Sequence, residues 1–377
     1  MPDLTHTAVG TWSGGRFMRF GEPLDDDRLA ALLRPGDGIR TVLTADAYGA
    51  GAADALLGRA LAGVPREEFA LVGALGHDFY AGERDGAKGF PRFTDPRLRG
   101  PDEYAGYLRM AAERSLERLG AERFDLLLLH NPDRTGYTSE AVWDGLEALR
   151  ADGLTRLLGV APGPANGFTL DLIDCFERFG ARIDWAMVIL NPLEPWPGRL
   201  VLPAAQRHGV RLITRVVDYG GLFHDDVMPG HEFPRGDHRG FRPAGWIEAG
   251  RAKLDAMRPI AERHGLTPLQ LACHWNLAQA PVACVAPTLI QEPGPGARAI
   301  EAKRAELAAV TLPPVLSEAE VEELAAIGDN TGCMALKGAA PGYSGEPLPD
   351  RWPLTDELTA LAGRWGIEPA RDLAQAA

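Results

Sequence analysis

The chain is short of positive charge, of long apolar runs and of clustered cysteines. Its 377 residues carry 39 lysines and arginines against 52 aspartates and glutamates, a formal net charge of -13. This acidic balance argues against nucleic acid or an anionic membrane surface as a partner, because like charges repel. No apolar stretch approaches the roughly 18 residues of a membrane span, and the start of the chain lacks the basic and apolar regions of a signal peptide. We therefore expect a cytoplasmic protein that binds a small-molecule substrate, and whether it forms a homo-oligomer stays open.

The cysteines and histidines give no metal-binding pattern. Four cysteines lie far apart without a CxxC spacing: Cys175, Cys273, Cys284 and Cys333. Neither a zinc ribbon nor a disulfide framework is therefore predicted. Three histidines recur seven residues apart beside several aspartates: His224, His231 and His238. Loop histidines without an HExxH pattern are more often surface or substrate contacts, so no metal is predicted.

Short apolar segments alternate with longer segments of helical period, which is typical of repeated βα units on a parallel sheet. Eight segments are predicted to be strands: Ala8–Trp12, Ile39–Thr44, Phe69–Ala74, Leu126–His130, Arg156–Val160, Trp185–Leu190, Arg211–Val216 and Val282–Ala286. Eight others are predicted to be helices: Asp26–Leu33, Ala52–Ala62, Tyr104–Leu119, Ser139–Ala151, Leu170–Phe179, Leu200–His208, Gly250–Gln279 and Ala297–Ala309. Eight strands that each precede a helix favour a single (β/α)8 barrel over a doubly wound open sheet.

The predicted fold is thus an α/β protein with one (β/α)8 TIM barrel over residues 1–310. Residues 311–377 are predicted to form one helix, 318–327, and an extended tail that packs on the barrel as part of the same domain. Three connections exceed normal loop lengths, which is typical of binding loops: His77–Gly100, Val217–Ala249 and Gly328–Trp352. In such barrels the chemistry lies at the C-terminal ends of the strands, so functional residues are expected there.

Seven short motifs occur in a fixed order along the chain: Gly10-Thr11-Trp12, Thr44–Gly49, Leu56–Leu61, Ser115–Gly120, Phe124–Asp133, Gly221–Phe223 and Ala261–Ala272. Each motif alone is a weak signal, whereas seven in this order are a strong one. Together they resemble the aldo-keto reductase superfamily over about residues 8 to 310. The resemblance implies a barrel of eight strands, in agreement with the strand count made without it.

The resemblance also implies a catalytic set of four residues, of which this chain keeps two. Tyr48 stands at the position of the tyrosine that donates a proton to the substrate carbonyl, and His130 at that of the histidine that orients the substrate oxygen. The aspartate and lysine that pair beside the tyrosine are replaced by Leu43 and Ala74. A phenol has a pKa of about 10 until a nearby cation lowers it, so Tyr48 loses its activator. His130 is predicted to take over part of this work, because an imidazole titrates near neutrality.

The nicotinamide contacts implied by the resemblance are altered as well. The residues that hold the carboxamide become Ala161-Pro162 and Met187, and the stacking aromatic becomes Arg215. Asn191 and a Gly-Gly turn remain, and backbone amides before the last barrel helix are candidates to bind a phosphate. The cofactor-binding candidates are Gly220, Gly221, Leu222, Gly294, Gly296 and Arg298. The cofactor stays open between none and NAD(P).

The substrate-binding candidates follow barrel strands or lie in the long loop after the seventh strand: Trp12, His77, Asp78, Asn191, Arg215 and His224. His77 and Asp78 are favoured because they come directly after the third strand. Arg215 is suited to bind a carboxylate or to stabilise an enolate. Its alternative role is a structural ion pair with Asp184 or Asp218.

Three functions stay open for such a site. The main prediction is acid–base chemistry by Tyr48 and His130 on a small carbonyl or sugar-like substrate without hydride transfer, as in a lyase, dehydratase or isomerase. The second is NAD(P)-dependent oxidation or reduction with an altered cofactor clamp. The third is a non-catalytic barrel that binds a metabolite, because a fold alone does not fix a function.

Overall fold

The computed structural model describes residues 3–86, 89–163 and 165–376. Eight strands form one parallel sheet in chain order: β1 Ala8–Gly10, β2 Thr41–Leu43, β3 Ala70–Leu75, β4 Phe124–His130, β5 Thr155–Ala161, β6 Trp185–Ile189, β7 Arg211–Arg215 and β8 Val282–Ala286. A parallel bridge between Thr7 and Val285 joins β8 to the residue before β1 and closes the sheet. The predicted (β/α)8 barrel is therefore confirmed.

Helices cover the outside of this sheet and continue into the C-terminal segment. They are α1 Asp26–Leu33, α2 Ala52–Leu61, α3 Tyr104–Leu119, α4 Arg134–Thr138, α5 Glu140–Ala151, α6 Thr169–Phe179, α7 Leu202–Arg207, α8 Trp246–Arg263, α9 Pro268–Leu277, α10 Ile300–Ala308, α11 Glu318–Gly328, α12 Asp356–Arg364 and α13 Pro369–Asp372. Among the described residues, none of the helices is long and apolar enough to cross a membrane.

The prediction of one long helix over 250–279 is wrong, because two helices occupy this region. Gly265 between them has a φ of 63°, which ends the first helix in the left-handed conformation. Thr267 then starts the second. Its hydroxyl accepts a hydrogen bond of 3.3 Å from the amide of Gln270, and its own amide donates one of 3.1 Å to the Gln270 side chain. This reciprocal capping, with Pro268 at the first helical position, begins a new helix.

The C-terminal segment is more regular than the predicted extended tail. It contains α12 and α13 and a short parallel pair, β9 Gly338–Ala339 and β10 Arg351–Trp352. The indole of Trp352 donates a hydrogen bond of 2.8 Å to Asp171 in α6. The indole of Trp196, in the loop after β6, donates one of 2.6 Å to the carbonyl of Asp372. The segment is thus held against one side of the barrel.

The inside of the barrel is filled by apolar side chains that form a cluster separate from the larger layer between strands and helices. Its buried members are Ala8, Leu43, Ala45, Val72, Ala74, Leu126, Leu128, Ala161, Trp185, Met187, Ile213, Cys284 and Ala286. Leu43 and Ala74 are only 1% and 8% exposed. Hydrocarbon therefore fills both positions where the resemblance calls for a buried ion pair, and the exchange of both partners leaves no unpaired charge there.

Candidate active site

Tyr48, His77 and His130 meet at the end of the barrel where the parallel strands terminate. Tyr48 lies in the turn after β2, His77 follows β3 and His130 is the last residue of β4. The rings of Tyr48 and His130 make an edge contact, with centroids 5.7 Å apart and planes at 85°. The rings of His77 and His130 are 5.3 Å apart. His130 is thus held between a phenol and a second imidazole.

Tyr48 is half-buried, and within the described residues its hydroxyl forms no hydrogen bond. Burial raises the pKa of the phenol above its usual 10, and the charge of Arg215 opposes that shift. The phenol is therefore protonated at neutral pH and available to a ligand. Ala74 stands where the family has a lysine, and the cation that acts on Tyr48 in this chain is Arg215 instead.

Both imidazoles are uncharged at neutral pH. Burial, the adjacent His77 and the positive charges nearby hold the pKa of His130 well below its usual 6.5. Burial and the charge of Arg92 lower the pKa of His77 to about 3. The expectation that His130 titrates near neutrality is therefore wrong, because the site removes water from the ring and surrounds it with cations. His130 remains suited to hold a substrate oxygen by a neutral hydrogen bond.

His77 is fixed in place by its two ring nitrogens. Its Nε2 is 3.1 Å from the side-chain amide of Asn131, and its Nδ1 is 2.8 Å from the carbonyl of Phe90. This pattern assigns the proton to Nδ1, with Asn131 donating to Nε2. By contrast, Nδ1 of His130 is buried without a hydrogen-bond partner among the described residues. His77 therefore orients the site, whereas His130 keeps unused hydrogen-bonding capacity.

Arg92 is a site residue that the sequence did not single out. It is 8% exposed, its Nε donates to the carbonyl of Asn131, and its Nη1 lies 3.2 Å from Nδ1 of His77. Its charge helps to keep both imidazoles neutral. Arg92 lies in the long loop after β3, where no periodicity marks one arginine above another. Only the return of this loop across the barrel end brings it to the site.

Arg215, the last residue of β7, is half-buried and donates a hydrogen bond of 3.1 Å to the carbonyl of Pro162. The alternative role as a structural ion pair is wrong, because both candidate partners are engaged elsewhere. Asp184 lies 3.4 Å from Arg150 and accepts from the amide of Leu158. Asp218 accepts from backbone amides, as described below. Within the described residues no carboxylate lies in salt-bridge contact with Arg215.

Of the other four substrate-binding candidates, one lies at the site and three stabilise loops through internal hydrogen bonds. Trp12 is half-buried and packs against the barrel interior. Three are fully buried in internal hydrogen bonds: Asp78, Asn191 and His224. Asp78 binds Arg99 and two loop amides, Asn191 binds the carbonyl of Val216, and His224 Nε2 lies 2.9 Å from the carbonyl of Thr288. This placement does not support a substrate contact for these three residues.

The three histidines of the long loop after β7 do not converge. His224 faces Thr288, His231 lies 3.2 Å from Glu292, and His238 Nδ1 lies 3.1 Å from the carbonyl of Arg19. No group of three metal-ligating side chains occurs among the described residues.

The Gly-Gly turn assigned to the cofactor is already occupied by a side chain of the protein. The carboxylate of Asp218 accepts hydrogen bonds of 2.7 Å from the amide of Thr288 and 3.0 Å from the amide of Gly221. A Cβ built on Gly221 would lie 3.3 Å from Glu292 Oε1, so a side chain also covers the turn. Leu222 is fully buried in the core. The Gly221 amide of the turn assigned to the cofactor is therefore bound by a carboxylate of the protein itself.

The remaining cofactor candidates are either engaged in internal contacts or exposed. Arg298 donates a hydrogen bond of 2.8 Å to the carbonyl of His224 and also binds Glu306. Gly294 and Gly296 are exposed and have open space around them. The amide of Ile300 at the start of α10 donates to the side chain of Gln291 at 3.1 Å. Arg298 and the amide of Ile300 are thus engaged within the protein, whereas the space around Gly294 and Gly296 is open.

A buried ionic network holds the loop after β7 over this region. Arg239 is 2% exposed and binds both Asp237, at 2.8 and 2.9 Å, and Glu292. Lys303 is fully buried, with its Nζ 2.6 Å from Asp226. Three carboxylates and two cations thus form a closed layer beside Asp218, which is unfavourable to an incoming dianion.

Comparison with known proteins adds three findings. The model of the Aldo/keto reductase family matches residues 8–329. A 6-dehydroglucose reductase of Agrobacterium fabrum is 33% identical over 167 residues, which are 42% of this chain and 50% of that protein. The chain thus matches about half the length of this relative.

Solved structures agree with the fold. A glycerol dehydrogenase from Gluconobacter oxydans has a TM-score of 0.67 at 25% identity over 91% of this chain and 96% of that chain. An aldo-keto reductase from Klebsiella pneumoniae, solved in complex with NADPH, has a TM-score of 0.55 at 21% identity over 85% of this chain and 90% of that chain. At this identity the second likeness concerns the fold alone.

Proposed function

The chain belongs to the aldo/keto reductase family, whose model covers residues 8–329 of its 377, and on that basis we propose that it is an oxidoreductase. Its substrate would be a small oxygenated molecule, in which a hydroxyl and a carbonyl group are interconverted. The observation that carries the proposal is the edge contact of Tyr48 with His130 at the end of the barrel. The similar reductase and dehydrogenase favour this function over the elimination chemistry expected first from the sequence.

The proton step of this reaction belongs to Tyr48. Because its pKa is raised by burial, the phenol holds a proton at neutral pH and can pass it to a carbonyl oxygen. The charge of Arg215 then stabilises the phenolate that remains. In the direction of oxidation the same phenolate takes the proton from the substrate hydroxyl. His130, neutral and braced by His77, would hold the substrate oxygen next to the phenol.

The electron carrier implied by the family is a nicotinamide dinucleotide. Members of the family such as the Klebsiella protein bind NADPH. In this chain Asp218 binds the amides of Gly221 and Thr288, and Glu292 and Arg239 pair beside the Gly-Gly turn that the resemblance assigns to the cofactor. We therefore assign no residue to a dinucleotide and derive no step through it. A dinucleotide would bind in the family manner only if the Asp218 carboxylate left the two amides.

The proposal is tested with the purified chain, NADPH or NADH, and a panel of small aldehydes, sugars and polyols. We expect turnover that falls by about 100-fold or more in Tyr48→Phe, the usual scale for loss of a general acid. Tyr80→Phe is the matched control, because Tyr80 binds Arg118 and is not part of the proposed site. Absence of nicotinamide turnover with every substrate, or equal loss in both variants, would overturn the proposal.

A second candidate is acid–base chemistry without a dinucleotide, such as isomerisation or elimination next to a carbonyl. One observation favours it, namely that Asp218 closes the amides that a cofactor would need. The names of the similar proteins give it no support. One measurement distinguishes the two candidates. In deuterated water without any nucleotide, NMR should detect Tyr48-dependent exchange of the hydrogen next to a substrate carbonyl only if the second candidate is correct.

A further inference from the structure

Two arginines flank the pair formed by Tyr48 and His130, and neither has a carboxylate partner within the described residues. We infer that the substrate carries a carboxylate and that Arg215 binds it while Tyr48 acts on a hydroxyl or carbonyl group of the same molecule. The inference deepens the proposed function, on which it rests, by naming its substrate class as oxo- or hydroxycarboxylates.

The surroundings of Arg215 leave most of its guanidinium unused. Its Nη2 donates to the carbonyl of Pro162 at 3.1 Å, which is its single hydrogen bond within the described part of the chain. The carboxylate whose charge acts on it is that of Glu194. Glu194 is already held by the side-chain amides of Asn166 and Asn191 and lies 3.6 Å from Arg242. The remaining N–H groups of Arg215, the last residue of β7, therefore have no hydrogen-bond acceptor among the described residues.

A desolvated cation without a counter-charge is unfavourable, so such a group needs a reason to persist. Arg215 has lost water, as the downward shift of its pKa by burial indicates. Its side chain is nevertheless only half-buried, so part of it remains accessible to a ligand. An incoming carboxylate would supply the missing charge and match the planar fork of N–H donors.

The second cation, Arg92, adds another positive charge to the site. The carboxylates that act on it from a distance are both engaged: Asp133 accepts from Thr94 at 2.7 Å and Asp350 lies 3.1 Å from Lys337. The acid nearest to Tyr48 in sequence, Asp46, is fully buried, and burial raises its pKa well above the usual range. In a chain with a net charge of -13, this end of the barrel is therefore locally cationic.

The positions of these side chains suit a small molecule that carries both a carboxylate and a hydroxyl or carbonyl group. Arg215 ends β7, Tyr48 follows β2 and His130 ends β4, so the three lie around one barrel end. The charge of Arg215 acts on both Tyr48 and His130. A phosphate is a poorer occupant than a carboxylate, because the amides of Gly221 and Thr288 that would share its charge are bound to Asp218.

The test compares acids with neutral molecules of the same carbon skeleton by calorimetric titration. Gluconate is paired with sorbitol, and glucuronate with glucose; glucose 6-phosphate probes a phosphate. We expect the acids to bind at least about tenfold more tightly than their neutral partners, and this preference to persist from pH 6 to pH 9 because a guanidinium does not titrate there. Arg215→Gln should abolish the preference, and Arg215→Lys should retain part of it.

Arg211→Gln is the matched control, because Arg211 lies on the same strand, is exposed, and stacks on Trp185 at the opposite end. Equal binding of acid and neutral partner, no binding of either acid, tighter binding of glucose 6-phosphate, or an equal loss in Arg211→Gln would each overturn the inference. Tyr48-dependent turnover of neutral carbonyls alone would overturn it and leave the proposed oxidoreductase function intact. If acids bind in an Arg215-dependent manner but are neither oxidised nor reduced with any nicotinamide cofactor, the carboxylate site would be supported and the proposed oxidoreductase function would be overturned.

Discussion

The carboxylate of Asp218 accepts a hydrogen bond of 2.7 Å from the amide of Thr288. The two residues lie after β7 and β8, so this bond ties together the ends of neighbouring strands. Asp218 is fully buried, and its second oxygen accepts from Gly221 at 3.0 Å. Backbone amides at such a position can bind an external anion. Here the side chain of Asp218 binds them instead.

Asp218→Ala is expected to open this anion site. Removal of the carboxylate frees the amides of Gly221 and Thr288, so NADPH and free pyrophosphate should bind at least about tenfold more tightly than to the natural chain, a gain of about 1.4 kcal/mol. Asp218→Asn, which keeps an acceptor but loses the charge, should lie between. Fluorescence titration measures NADPH, and calorimetry measures pyrophosphate.

Asp184→Ala serves as the control for Asp218→Ala. Asp184 also accepts from a backbone amide, that of Leu158, but lies before β6 rather than after a strand. Unchanged affinity in Asp218→Ala, or an equal gain in Asp184→Ala, would mean that Asp218 does not control access to this region.

The rate of carbonyl reduction should be flat between about pH 6 and pH 9. The pKa of His130 lies well below 6.5 and that of Tyr48 above 10, so neither group changes its charge in this window. The measurement is kcat/KM as a function of pH in buffers of constant ionic strength. An inflection near pH 6.5 that disappears in His130→Asn would contradict the neutral state assigned to His130.

His77 should make the fold sensitive to acid. Its pKa is about 3 in the folded chain against an ordinary 6.5, so below pH 6.5 the unfolded chain binds a proton that the folded chain does not. Its contribution to stability is complete above pH 6.5 and is lost as the pH falls towards 3, at up to about 1.4 kcal/mol per pH unit. His77→Gln should flatten the dependence of urea unfolding on pH between 4 and 6.5.

The control for this prediction is His208→Gln, which changes a partly exposed histidine between α7 and β7. If His208→Gln flattens the curve as much as His77→Gln, the acid sensitivity comes from the general charge of the chain rather than from the buried imidazole.

Leu43 and Ala74 should tolerate a charged pair better than either charge alone. Leu43→Asp or Ala74→Lys places one unpaired charge in the apolar barrel interior, and each should lower the free energy of unfolding by about 3 to 5 kcal/mol. The double variant should lose less than the sum, with a favourable coupling of about 0.5 to 3 kcal/mol. Urea unfolding of the four chains in a double-mutant cycle measures it; additive losses would show that the two side chains do not meet.

The general architecture was predictable from local patterns. Alternating apolar and amphipathic segments predicted the barrel. The family resemblance pointed to Tyr48 and His130, and the rule that chemistry follows strand ends pointed to His77 and Arg215; the structure places all four at one end. Local patterns were insufficient where a break depends on a single cap, as at Gly265 and Thr267, or where the C-terminal segment is held by distant contacts such as that of Trp352 with Asp171.

The sequence by itself determined the barrel, its tyrosine and histidine, and the loss of the paired aspartate and lysine, because each of these depends on residue type at a fixed place relative to a strand. Only the tertiary structure decided the charge state of the site. Burial beside Arg92 and Arg215 makes the two imidazoles neutral, and the return of Asp218 onto two amides fills an anion site. Solvation and electrostatic fields depend on which groups meet across the fold, and residues distant in sequence supply them here.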